Sequence, residues 1–154
     1  MITLGRNVEI KARCSDLAVA RHRAKALGAR FVGVLEQTDT YFRAQLGRLK
    51  LREFTDRPAE LIAYHRGDAT EPRPSVFHRV EVPEPELLKQ VLAASLGQLG
   101  VVVKRRELWM HEQVRLHLDD VQRLGTFLEF EAKIAAANGD AAGAEVVEFL
   151  CRHF

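Results

Sequence analysis

Apolar and charged side chains alternate with a period of two in stretch after stretch of this chain, and that alternation limits the folds available to it. Along residues 7–13, Val8, Ile10 and Ala12 fall on one face, and Asn7, Glu9, Lys11 and Arg13 on the other. Leu49 and Leu51 oppose Arg48, Lys50 and Arg52. Val101 and Val103 oppose Lys104 and Arg106, with Arg105 out of pattern. Val114, Leu116 and Leu118 oppose Arg115, His117 and Asp119. Leu128, Phe130, Ala132 and Ile134 oppose Phe127, Glu129, Glu131 and Lys133. A period of two is the signature of β-strands, whose side chains point alternately to opposite faces of a sheet.

The predicted strands are Leu4–Lys11, Arg30–Glu36, Thr40–Gln45, Arg48–Phe54, Glu60–Arg66, Ser75–Val82, Val101–Leu108, Gln113–Asp119 and Phe127–Ile134. Gly47 and Asp56-Arg57-Pro58 punctuate two hairpins. The stretch Gly67–Pro74 reads as a surface loop. Three segments carry helical signals. Asp16–Leu27 follows a capping Ser15 or Asp16 and stops at Gly28. Glu84–Leu99 follows Pro83, places Leu88, Val91, Leu92, Ser95, Leu96 and Leu99 at helical spacing, and ends at Gly100. Ala141–Arg152 carries Val146, Val147, Phe149 and Leu150. A chain of 154 residues with 47% hydrophobic and 29% charged side chains suits one domain, 1–154. Eight or nine strands with three helices predict an α+β fold, a closed or nearly closed eight-stranded antiparallel β-barrel with the helices packed outside.

A charged sheet face ordinarily meets solvent. Two features favour the interior here. The helices need an apolar sheet face to cover, and the apolar positions supply it, which turns the charged face inward. The charges are also segregated: Arg48–Arg52, Arg66 and Lys104–Arg106 are basic, while Glu9, Glu129 and Glu131 are acidic. An unpaired ion in low dielectric costs several kcal/mol. Such an interior therefore pairs its charges or takes up water and a highly charged ligand, and an eight-stranded barrel has room for one small ligand. Arg and Lys on facing strands match phosphate oxygens. Carboxylates beside them suit a hard divalent cation, Mg²⁺ or Mn²⁺.

Taken in order, Asn7-Val8-Glu9-Ile10-Lys11, QTDTYF (Gln37–Phe42), GRLKLRE (Gly47–Glu53), LIAYHR (Leu61–Arg66), VVKRRELW (Val102–Trp109), HLDDVQRLGTFLEFE (His117–Glu131) and the C-terminal helix cover nearly the whole chain. This series resembles the CYTH superfamily of triphosphate tunnel metalloenzymes, and within it the bacterial branch labelled class IV adenylate cyclase-like. The first block resembles that family's ExExK signature. The resemblance implies a tunnel that binds a triphosphate with two divalent ions, Mg²⁺ or Mn²⁺. By position it implies Glu9, Glu129 and Glu131 as metal ligands, with Asp119 near the metal or the attacking group. It implies Lys11, Lys50, Arg52, Arg66, Lys104 and Arg106 as phosphate-binding residues, and Lys11, Asp119, Glu129 and Glu131 as the catalytic set. Arg48 and Arg79 are secondary candidates, and a shift of the LIAYHR block would substitute His65 for Arg66. Asn7 stands where the family has its first glutamate, and offers a carbonyl oxygen but no charge.

The expected function is metal-dependent hydrolysis of a phosphoanhydride in inorganic tripolyphosphate, thiamine triphosphate or a nucleoside triphosphate. The alternatives are a class IV adenylate cyclase, making cyclic AMP and pyrophosphate, and a non-catalytic polyphosphate- or nucleotide-binding module. A net charge of +2 gives no reason to expect a nucleic-acid or membrane partner. Arg21, His22, Arg23 and Lys25 read as a solvated helix face. No apolar run reaches the roughly 20 residues that span a bilayer, and charges occupy the region where a signal peptide has its apolar stretch. A cytoplasmic monomer or homodimer is expected, with Cys14 and Cys151 as free thiols. His117 reads as a packing residue or a proton-transfer partner of Asp119. Tyr41 and Phe42 read as core, and Tyr64 shares the face of Arg66.

Overall fold

The computed structural model describes residues 1–67, 71–134 and 139–154. Eight strands close into one antiparallel barrel: β1 (Ile2–Arg13), β2 (Arg30–Phe42), β3 (Arg48–Phe54), β4 (Ala59–Arg66), β5 (Arg73–Val82), β6 (Gln98–His111), β7 (Val114–Val121) and β8 (Gly125–Lys133). Their order around the barrel is β1-β5-β4-β3-β2-β6-β7-β8, and β8 pairs with β1 to complete the ring. Closure leaves no strand edge exposed. It also sorts every alternating strand into one face toward the lumen and one toward the outside. Three helices lie outside: α1 (Leu17–Ala26), α2 (Pro85–Leu96) and α3 (Gly139–Cys151).

The apolar faces pack beneath these helices in two clusters. Leu116 and Leu118 of β7, Val8 of β1 and Phe130 and Ala132 of β8 meet Ala20 and Ala24 of α1 and Val147 and Leu150 of α3. Phe42, Leu51, Ala59 and Val82 meet Leu88, Leu92 and Ala93 of α2. Helix α1 starts at Asp16, whose Oδ1 accepts the amides of Ala18 (2.7 Å) and Val19 (3.2 Å). This side-chain cap satisfies amides that the first turn leaves unpaired. Arg21 fastens the helix to the barrel through a two-point ion pair with Glu107, at 2.8 and 3.0 Å.

Three sequence expectations are corrected. Arg30–Glu36 and Thr40–Gln45 form one strand, β2, of 13 residues. Its polar middle, Gln37 to Thr40, pairs with β3 on one side and β6 on the other, so ladder hydrogen bonds replace the apolar signal it lacks. The barrel consequently has eight strands, not nine. The second helix stops at Leu96 rather than Leu99: the Gly97 amide bonds back to Ala93, and its carbonyl accepts from Arg43. That turn sends Gln98 directly into β6, which runs to His111. Of the expected loop Gly67–Pro74, residues 68–70 lie outside the described residues, and Arg73 and Pro74 already belong to β5. The hairpins at Gly47 and at 55–58 are present, and both cysteines are free thiols.

Candidate functional site

Barrel closure turns the charged faces onto one half-open space of about 300 Å³. Lys50 and Arg52 of β3, Arg66 of β4, Lys104 and Arg106 of β6, Glu9 of β1 and Glu129 and Glu131 of β8 all line it. Asn7, Gln37, Tyr41, Arg57, Glu60, Tyr64, Ser75, Arg79, Arg115 and His117 extend the polar wall, and Leu35, Phe54, Ile62, Phe77 and Leu108 add an apolar part. The strand registers explain the convergence. Lys11 stands opposite Glu129, which stands opposite His117. Arg106 stands opposite Asp119, and Asp39 opposite Arg52.

Two buried aspartates organise the cations. Asp119 is fully buried and takes a two-point ion pair from Arg106, at 2.6 and 2.7 Å. Lys11 approaches the same carboxylate at 3.4 Å and Glu129 at 3.7 Å. Asp39 is equally buried. It receives both arms of Arg52 at 2.7 Å and the Lys50 ammonium at 3.0 Å, with Lys104 at 3.8 Å. Burial pushes both aspartates up, but the guanidinium partners outweigh it and hold both carboxyls below the usual range. The lysines move the opposite way. Burial, then repulsion from Arg52, lowers Lys50 to about 8 despite Asp39. Burial, then Arg106 and Arg52, holds Lys104 well below an ordinary lysine.

The acidic side of the wall is different. His117, Glu129 and Glu131 each bring one ligand atom within 4.8 Å of the others. His117 Nδ1 and Glu129 Oε1 are 3.1 Å apart. Glu131 accepts from Arg115 at 3.0 Å, and Glu9 from Arg66 at 2.9 Å. Burial, then repulsion from Glu129, raises Glu9 against the pull of Arg66. Glu129 is pushed up by burial but held well below the carboxylate range by Arg106, His117 and Lys11. Burial and then Arg106 lower His117, which favours the neutral, metal-binding imidazole. Two carboxylates and a neutral imidazole this close together fit a divalent cation. Arg66 is suited to a further anion: it spends Nη1 on Glu9, while its buried Nε has no hydrogen-bond partner among the described residues.

Nearly all the residues selected from sequence therefore meet in one place. Asp119 is buried behind Arg106, and Lys11, partly exposed, joins the site through its contacts with Asp119 and Glu129. Arg66 points inward and His65 outward, so the unshifted reading of LIAYHR puts the cation inside. Arg79 lines the chamber with Glu60, 3.6 Å away. Arg48 lines a neighbouring hollow with Gly47, Tyr64 and His65. Of the expected ligand set, Glu129 and Glu131 cluster with His117, while Glu9 stands opposite Glu131 in the ladder and is engaged by Arg66. Asp39 and Arg115 were not selected. Arg115 was legible from the alternation it shares with His117, whereas Asp39 lies in the polar run that hid the middle of β2.

Residues 5–150 match the CYTH domain family. The chain belongs to the CYTH family. A protein of Methanocaldococcus jannaschii named "Putative adenylate cyclase" is 28% identical, across 93% of this chain and 86% of that one. The fold recurs in the PH1012 protein of Pyrococcus horikoshii, with a TM-score of 0.82, 24% identity and coverage of 96% and 88% of the two chains. It recurs again in HpAC1 from Hippeastrum, described as having a dominant triphosphatase activity, with a TM-score of 0.66, 17% identity and coverage of 96% and 87%. Among the described residues, no helix of this CYTH chain is long and apolar enough to cross a membrane.

Proposed function

We propose that this CYTH protein binds a triphosphate in its lumen and hydrolyses a phosphoanhydride bond of it, with Mg²⁺ or Mn²⁺ as cofactor, two ions in the fully loaded site. The observation that carries this reading is the joint wall of Lys50, Arg52, Arg66, Lys104 and Arg106 with Glu9, Glu129 and Glu131 around one chamber inside the barrel. The guanidinium forks suit bidentate contact with phosphate oxygens. Held by Asp119, Arg106 keeps its charge where negative charge spreads over the transferred phosphoryl group, and preorganised charge of this kind lowers the barrier. His117, Glu129 and Glu131 would hold a metal ion, with Glu9 joining them when Arg66 turns to phosphate. When bound, the metal supplies Lewis-acid neutralisation of phosphate charge. Leu35, Phe54, Phe77 and Leu108 limit the water beside the reacting groups.

The test is phosphate release from tripolyphosphate, thiamine triphosphate and ATP, each with Mg²⁺ and Mn²⁺. Glu129→Gln and Glu131→Gln should each lower metal-dependent release by roughly 100-fold or more, and unchanged turnover in both would overturn the hydrolytic reading. The name of the Methanocaldococcus jannaschii relative supports a second reading, cyclisation of ATP. Cyclic AMP and pyrophosphate as the products from ATP would select it over ADP and phosphate.

A further inference from the structure

Asp39 sits at the centre of the basic wall with the wrong charge for a polyanion site. It is fully buried, does not line the chamber, and is surrounded by the cations that do. Arg52 grips it with Nε on Oδ1 and Nη2 on Oδ2. Lys50 and Lys104 both approach Oδ2, from β3 and β6, the two strands that flank β2. One carboxylate thereby ties together three cations from two strands, and each of the three still faces the lumen. We propose that Asp39 is a positioning residue, whose sealed carboxylate holds Arg52, Lys50 and Lys104 as one cationic face for the phosphate chain. The proposal rests on the triphosphate reading and assigns a role within that same site.

The surrounding groups give the proposal its test. Besides its three partners, Asp39 is faced by Tyr41 on its own strand, with Tyr64 and Arg106 nearby. The rings of Tyr41 and Tyr64 lie 5.7 and 5.3 Å from the Lys50 ammonium. Among these groups Asp39 is the one full negative charge at neutral pH. Without it, Arg52 and Arg106 remain charged beside two buried lysines, and the lysines shed protons first. Simple Coulomb attraction makes the opposite forecast: deleting a negative charge near a polyanion site should tighten binding.

The experiment is calorimetric titration of the full chain with inorganic tripolyphosphate and Mg²⁺ from pH 6.5 to 9.5, with thermal unfolding to verify the fold. Wild-type affinity should weaken as pH rises through about 8, where Lys50 loses its proton. Asp39→Asn should weaken binding by roughly tenfold or more at neutral pH and move that alkaline limb down by about one pH unit or more. Asp39→Glu retains the charge but displaces the carboxylate. It should bind roughly three- to tenfold more weakly, with its limb left near 8, and it carries the test if the Asn variant does not fold. Binding by Asp39→Asn as tight as wild type or tighter, or unchanged binding by Asp39→Glu, overturns the positioning role while the triphosphate reading stands. Failure of the wild type to bind tripolyphosphate overturns both.

Discussion

At the scale of single residues, the basic wall stores unfavourable charge that a bound polyanion would relieve. Lys50 illustrates the cost. Its ammonium titrates near 8 in the fold, against 10.5 as the ordinary value. Below pH 8 the residue is charged folded and unfolded, and the fold bears the full penalty of holding it. Between pH 8 and about 10.5 the unfolded chain binds more protons than the folded one, so stability rises with pH in that window. Lys50→Met removes the penalty. At pH 7 the variant should be more stable than wild type by up to roughly 3 kcal/mol, at about 1.4 kcal/mol per pKa unit. The gap should close by about pH 10.5, and the variant should bind tripolyphosphate more weakly at pH 7. Urea unfolding of both proteins at pH 7 and 10 checks the sign. A Lys50→Met protein that is less stable at pH 7 would show that the ion pair with Asp39 outweighs the burial of the ammonium.

At the scale of elements, strands with a clean alternation were the legible ones. β7 and β8 put Leu116, Leu118, Phe130 and Ala132 under helices, and His117, Glu129 and Glu131 in the lumen, as their patterns require. β2 was not legible as a whole, because Gln37-Thr38-Asp39-Thr40 has no apolar side to declare a face. Partners on both sides make it a strand, and one of them, β6, is distant in sequence. This is why Asp39 was invisible as a site residue. Arg48, a secondary candidate on the alternating face of β3, lines a neighbouring hollow instead. The end of α2 was misplaced because Leu99 continues a helical spacing that Gly97 interrupts. Hairpin geometry carries a prediction at this scale. Gly47 joins β2 to β3 at φ +64°, and a Cβ there would lie 2.6 Å from the Tyr64 carbonyl oxygen and 2.8 Å from the His65 ring. Gly28 has a similar φ of +78° but open space around it. Gly28→Ala should cost about 1 kcal/mol of conformational strain. Gly47→Ala should cost roughly 2–3 kcal/mol, because backbone must also shift. Equal melting temperatures for the two variants would mean that the turn yields without disturbing the β3–β4 register.

At the scale of the whole molecule, charge is distributed against the average. Among the described residues, eight Lys or Arg side chains and four Glu side chains line the chamber, a surplus of four positive charges, whereas the entire chain has a surplus of two. Asp39 and Asp119, which pair with cations of this wall, and Lys11, which pairs with Asp119 and Glu129, bring that surplus to three. The lumen is thus more basic than the chain as a whole. Self-repulsion of this kind opposes the compact state, and the barrel resists it through closure and its two apolar clusters outside the sheet. A ligand that binds only the folded barrel stabilises it by mass action, about 2.7 kcal/mol at 100 times its dissociation constant. For a chain of this size each kcal/mol moves the melting temperature by about 2–4 °C. Tripolyphosphate with Mg²⁺ should therefore raise the melting temperature by roughly 5–11 °C at that concentration, measured by calorimetry. Sodium chloride alone should raise it slightly, by screening the wetter part of the lumen. Added on top of tripolyphosphate, it should shrink the increment, because it competes for the same cations. A melting temperature that tripolyphosphate leaves unmoved, with or without metal, would mean that the internal ion pairs are already the lumen's best partners, and that the barrel is stabilised by its own charges rather than held ready for a substrate's.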